Sequence, residues 1–176
     1  MGKSKKKIDV FSIVIFSVLA LSIVMAVVGI CIAWTATTVK VAYLLGGASK
    51  TTTLKLSEIA EANSKLVDAG SDPMEGYGVM SAFAYITLAL SVVTTLVFVI
   101  SRFAKVKVLK WVLIAVAALT VVSAIVAIAT TYSFCGKYAA DFIVGDAKTV
   151  PAAGAWLLAV FGIVGGAAGV AGALKK

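Results

Sequence analysis

Gly162-Ile163-Val164-Gly165-Gly166-Ala167-Ala168-Gly169-Val170-Ala171-Gly172 lies inside an uncharged run that extends from Thr149 to Leu174. On an α-helix, Gly162, Gly165, Gly166, Gly169 and Gly172 fall on one continuous face, with Ile163, Val164 and Val170 opposite. In water each glycine would cost such a helix about 1 kcal/mol relative to alanine. In a bilayer the same residues remove side-chain bulk and let another helix approach closely. The stretch therefore reads as a thin transmembrane helix. Its glycine face either packs inside its own bundle or receives a partner chain.

Working outward, three more runs carry no charge: Val10–Val39, Gly76–Ser101 and Trp111–Gly136. About 20 apolar residues cross the hydrocarbon core, so each run is long enough. The sequence is 61% hydrophobic and only 14% charged, with a mean hydropathy of +1.08. Soluble domains sit near half apolar and about a quarter charged. The expected fold is an all-α integral membrane protein, a single four-span domain over residues 1–176. The spans fall at about 10–34, 77–101, 110–134 and 151–173, joined by outer loops 35–76 and 135–150 and a cytoplasmic loop 102–109.

The net charge of +8 is segregated. Lys3, Lys5, Lys6 and Lys7 precede the first span, Arg102, Lys105, Lys107 and Lys110 separate the second from the third, and Lys175 and Lys176 follow the fourth. These ten basic residues meet one acid, Asp9, whereas six lysines meet seven acids on the other side. The positive-inside rule places both termini in the cytoplasm. The expected location is the plasma membrane. Anionic lipid, rather than nucleic acid, is the expected partner of Lys3, Lys5, Lys6, Lys7, Arg102, Lys105 and Lys107. The apolar run from Val10 is too long for the core of a cleaved signal peptide, so the first span is expected to be retained. Lys6 occupies the place where a myristoylation motif needs Ser or Thr.

In the first outer loop, Val39, Val41 and Tyr43 alternate with Lys40 and Ala42, and Thr51-Thr52-Thr53-Leu54-Lys55-Leu56 follows Gly46-Gly47-Ala48-Ser49. Two β-branched runs about a glycine turn predict a β-hairpin. Ser57 reads as the N-cap of a short amphipathic helix to about Ala69, with Glu58 and Glu61 in its first turn. Ile59, Ala60, Leu66 and Val67 would form its apolar face, as a lid over the helix ends. Phe11 and Trp34 are expected as interfacial aromatics, and Pro151 as the first residue of span four. Thr87, Ser91, Thr94 and Thr95 share one face of span two, and Thr120, Ser123 and Thr130 one face of span three. These hydroxyls either bond between neighbouring helices or line a polar pathway.

Histidine is absent, which removes the commonest general base and metal ligand. No ionisable side chain lies deep in any span, as proton relays and voltage sensors require. No phosphate-binding loop and no carboxylate pair in a cleft is present, so no catalytic, cofactor or metal site is expected. Cys31 and Cys135 both fall near the outer boundary. A disulfide stapling span one to span three and a pair of inert thiols are the two readings.

Four spans, cytoplasmic termini, a longer first outer loop and a shorter second one resemble the claudin-like tetraspan layout, and are similar to that of MARVEL-domain proteins. The likeness covers the whole chain as topology. Claudins carry a Trp, a Gly-Leu-Trp and two cysteines in the first outer loop. Here Trp34 is the only tryptophan near that place, Gly46-Gly47 is not followed by Leu-Trp, and residues 35–75 contain no cysteine. No claudin site is carried over. The layout implies a non-enzymatic protein that self-associates laterally, as a homo-oligomer or with other membrane proteins. Accessory subunit of a larger membrane complex is the alternative, and passive channel the second.

Overall fold

The computed structural model describes residues 10–41, 49–104, 106–138, 140–142 and 145–175. The elements are α1 (Val10–Cys31), β1 (Ala33–Val41), β2 (Ser49–Lys55), α2 (Leu56–Asp68), α3 (Tyr77–Phe103), α4 (Lys107–Lys137), β3 (Ala140–Phe142), β4 (Gly145–Pro151) and α5 (Ala153–Leu174). α1, α3, α4 and α5 are long and apolar enough to cross a membrane. The expected four-helix architecture is present, and its boundaries differ where the strands begin.

α1 stops at Cys31 instead of Trp34 because the chain turns straight into a sheet. Ile32 makes the last helical bond, to the Val28 carbonyl at 3.0 Å. Ala33 then pairs with Lys55, and the Trp34 carbonyl accepts the Ala152 N–H at 2.8 Å. Trp34 is therefore not an interfacial aromatic. It is fully buried, at 0% exposure, among Leu56, Ile59, Met80 and Phe134. Pro151 likewise does not open the fourth span. It ends β4 opposite Thr35, and Ala152 is the N-cap. Proline suits a strand end, where no further ladder hydrogen bond is needed from its nitrogen.

The sheet runs β2-β1-β4-β3, antiparallel throughout. The hairpin of β1 and β2 is as expected, with its tip, residues 42–48, outside the described residues. The second outer loop supplies the other half of the sheet, β3 and β4. Burial is concentrated at the sheet's base. Trp34 and Thr35 are buried, Ala36 to Thr38 half-buried, and Val39 and Lys40 exposed. The sheet thus projects away from the helices, with its helix-linked strand ends at the base.

α5 occupies the centre of the bundle, packed against α1, α4 and α3, while α3 also packs on α4 and α1. One apolar cluster, including Met80, Ala127, Phe134 and Leu158, fills the sheet end. A second, of Ile15, Leu19, Phe98, Leu113 and Ala173, fills the opposite end, where α1 begins and α5 finishes. The remaining helix surfaces are apolar and exposed. On α4 this belt is bounded by Trp111 and Tyr132, 70% and 51% exposed. They are separated by about 32 Å along the helix at 1.5 Å per residue, close to the ~30 Å of a hydrocarbon core. α4 has 31 residues, so its last turns run past this belt. There Thr149 Oγ1 donates to the Tyr138 carbonyl at 3.1 Å.

α2 begins one residue before the expected cap. Lys55 is the N-cap, and its N–H donates to Glu58 Oε2 at 2.8 Å. Leu56 and Ile59 are buried, but Leu66 and Val67 remain 37% and 48% exposed, so only the first half of α2 acts as a lid. The helix ends in a Schellman turn: Ser71 N–H reaches the Leu66 carbonyl and Gly70 N–H that of Val67, both at 2.9 Å. Gly70 takes a φ of +77°, where a side chain is disfavoured.

Candidate interaction surface

The glycine face of α5 is used up inside the chain. A methyl group added at Gly162 would meet Ala124 Cβ at 2.8 Å, at Gly165 Ser22 Cβ at 2.9 Å, and at Gly169 Thr94 Cγ2 at 2.7 Å. At Gly172 it would meet Phe98 Cε2 at 2.7 Å. At Gly166 it would strike Val121 Cγ2 at 2.5 Å and the Ala117 carbonyl oxygen at 2.7 Å. All five glycines are buried. Of the two readings, packing within the bundle is the one the structure adopts, so this face is not open to a partner. A further contact escaped the sequence reading. Gly29 of α1 and Gly154 of α5 meet backbone to backbone, a Cβ at Gly29 lying 2.7 Å from the Gly154 carbonyl oxygen. Gly29 is the one glycine of α1, and Gly154 lies about two turns before the stripe begins.

The hydroxyls of α3 and α4 face one another. Thr94 and Thr120 Oγ1 are 2.9 Å apart, and Thr120 also bonds the Val116 carbonyl, so Thr94 is the donor between helices. Thr87 lies 2.8 Å from the Phe83 carbonyl and 3.2 Å from Ser123 Oγ. Ser91 and Thr95 bond back to carbonyls of their own helix. Thr131, rather than Thr130, is the buried threonine near the end of α4. These groups are satisfied and packed, as interhelical bonds in a bilayer interior need to be.

At the terminal end, Arg102 binds the bundle itself. Its Nη2 donates to the Gly172 carbonyl at 3.0 Å and its guanidinium lies 4.8 Å from the Phe98 ring centroid. A cation there complements the C-terminus of α5. Lys107 is exposed, while Lys3, Lys5, Lys6, Lys7 and Lys105 lie outside the described residues. Lys175 Nζ sits 4.0 Å from the Phe11 ring centroid, which brings the residue after α5 against the first turn of α1. Cys31 and Cys135 are free thiols, the first exposed and the second buried, so the staple between spans one and three is not formed.

The sheet end also carries exposed polar surface among the described residues. β2 is an edge strand with every residue exposed. Hydroxyl pairs Thr38–Thr51 and Thr37–Thr149, each at 3.0 Å, tie the strands on opposite faces. Lys40 lies opposite Asp146, and Thr38 opposite Lys148. With Val150 these four line an open hollow of about 250 Å³. On α2, Glu61 pairs with Lys65 at 2.6 Å, which holds its carboxyl below the usual range through a hydrogen bond and the lysine charge. Glu75 pairs with Lys137. Among the described residues no cluster of His, Cys, Asp and Glu could hold a metal ion.

No protein-family model matches the sequence, and comparison with curated proteins and with solved structures gives no match.

Proposed function

We propose that this chain is a non-enzymatic tetraspan membrane protein that organises membranes by self-association, with its sheet-bearing end as the contact. The observation that carries this reading is the seven-residue edge strand β2, exposed along its whole length. A row of unpaired backbone N–H and C=O groups is a template for another strand. The glycine face, the other surface with an interaction signature, is filled by the chain's own helices. The basic residues at the terminal end favour cytoplasmic termini under the positive-inside rule, with anionic lipid at that surface and the sheet outside.

The test is native mass measurement and cross-linking of protein purified in a gentle detergent. Oligomers of this chain that are lost on Thr53→Pro support the reading, because Thr53 lies opposite Ala36, whose backbone groups face β4, so its own N–H points out of the edge and proline removes that donor. A monomer at every concentration refutes it. Other chains in defined stoichiometry would make it an accessory subunit instead.

A further inference from the structure

We infer that β2 pairs antiparallel with β2 of a second copy whose bundle points the opposite way, so that the contact joins two apposed membranes. This rests on the proposed self-association at the sheet end and adds its geometry.

The strands stand out from the bundle. The base residues Trp34, Thr35 and Pro151 are buried, and Lys40 and Lys50 near the tip are exposed. Two β2 strands from one membrane, with both sheets standing the same way, can pair only parallel. Antiparallel pairing reverses one strand, and with it the bundle at its base.

Charge decides between the two. β2 reads Ser49-Lys50-Thr51-Thr52-Thr53-Leu54-Lys55. In-register parallel pairing sets Lys50 beside Lys50 and Lys55 beside Lys55, and like charges side by side are destabilising. The antiparallel register that uses all seven residues is centred on Thr52. It sets Lys50 against Leu54, Ser49 against Lys55 and Thr51 against Thr53, and no lysine faces another. The flanking lysines thus guard the edge against parallel pairing, as edge-strand lysines commonly do, while leaving the opposed arrangement open. One such pair is weak, and many pairs between two facing bilayers reinforce one another.

The experiment mixes two dye-labelled populations of neutral phosphatidylcholine vesicles carrying the whole chain and measures their co-clustering. Neutral lipid removes bridging by lysine to anionic headgroups. Wild-type protein is expected to cluster the two populations. Leu54→Glu sets a carboxylate against Lys50 of the other copy and should strengthen clustering. Leu54→Lys should weaken it, each shift being roughly two- to thirtyfold for two symmetry-related cross-strand pairs. In a parallel pair position 54 faces itself, so both variants would weaken association, and that result overturns the inference. So does unchanged clustering in both variants, or clustering only with added anionic lipid. Absent clustering with oligomers intact in detergent sinks the apposed geometry alone, and absent clustering with a monomer sinks the self-association beneath it.

Discussion

Gly166→Ala is the most demanding test of the bundle. The added methyl would lie 2.5 Å from Val121 Cγ2 and 2.7 Å from the Ala117 carbonyl oxygen. The first contact could be eased by a rotamer change. The second is backbone in the middle of α4 and cannot rotate away, so α4 and α5 must separate. Restoring ordinary contact requires about 1 Å, and a gap of that size forfeits a quarter to a half of each affected dispersion contact. Overpacking of this kind costs about 1–3 kcal/mol, partly offset by the better helix propensity of alanine, worth up to about 1 kcal/mol. The expected net loss is about 1–2 kcal/mol, or roughly 2–8 °C in Tm for a chain of this size. Gly78→Ala is the control, because nothing lies within 4 Å of its Cβ position. It should be neutral or slightly stabilising. Thermal unfolding in detergent, followed by circular dichroism, measures both. Equal stability of Gly166→Ala and wild type would refute the close approach of α4 and α5, and an equal gain at both positions would show that helix propensity, not packing, governs.

Thr94→Val keeps the shape of the side chain and removes the donor to Thr120. A loss of about 0.6 kcal/mol, the average for interhelical hydrogen bonds in a bilayer, is expected in the same unfolding assay. In bilayer recordings a conductance that depends on Thr94 would revive the channel alternative, against the packed seam. Acid should loosen α2 before the bundle. Glu61 is held below its ordinary value of 4.5 by Lys65, so the pair contributes above that value and is lost as pH falls through the lowered one. Hydrogen exchange at the α2 amides should therefore rise there, with the spans unchanged. Exchange that is flat with pH after correction for its intrinsic rate would count against the pairing.

The spans were legible because a bilayer tolerates little else. Charge is confined to the ends of long apolar runs, and backbone groups in lipid must bond within the segment. The β-hairpin was legible from local alternation about a glycine turn. The other two strands were not. Thr37 and Thr149 are partners 112 positions apart, and nothing near Gly145-Asp146-Ala147-Lys148 announces pairing with a strand in another loop. The same non-local ladder explains the misplaced ends. Trp34 and Pro151 obey plausible local rules for a membrane boundary and a helix start, and both are overridden by base pairings of the sheet. Of the candidate interaction residues, the glycines were found by spacing alone, but whether they faced inward or outward depended on what α1, α3 and α4 presented to them.

That complementarity explains why the chain's most distinctive motif is not its contact surface. The stripe glycines receive groups from three helices: Ser22 of α1, Thr94 and Phe98 of α3, and Ala117, Val121 and Ala124 of α4. Lipid tails are as apolar as leucine, so such helices are held by close packing and hydrogen bonds rather than by the hydrophobic effect. A thin central helix lets three others approach at once, and the hydroxyls of α3 and α4 then find partners beside it. Once those requirements are met, the outward faces of the spans present mainly apolar side chains to lipid. Directional groups free to recognise another molecule are concentrated where the chain leaves the belt. At the sheet end these include a standing β-edge whose lysines restrict how a second copy could align.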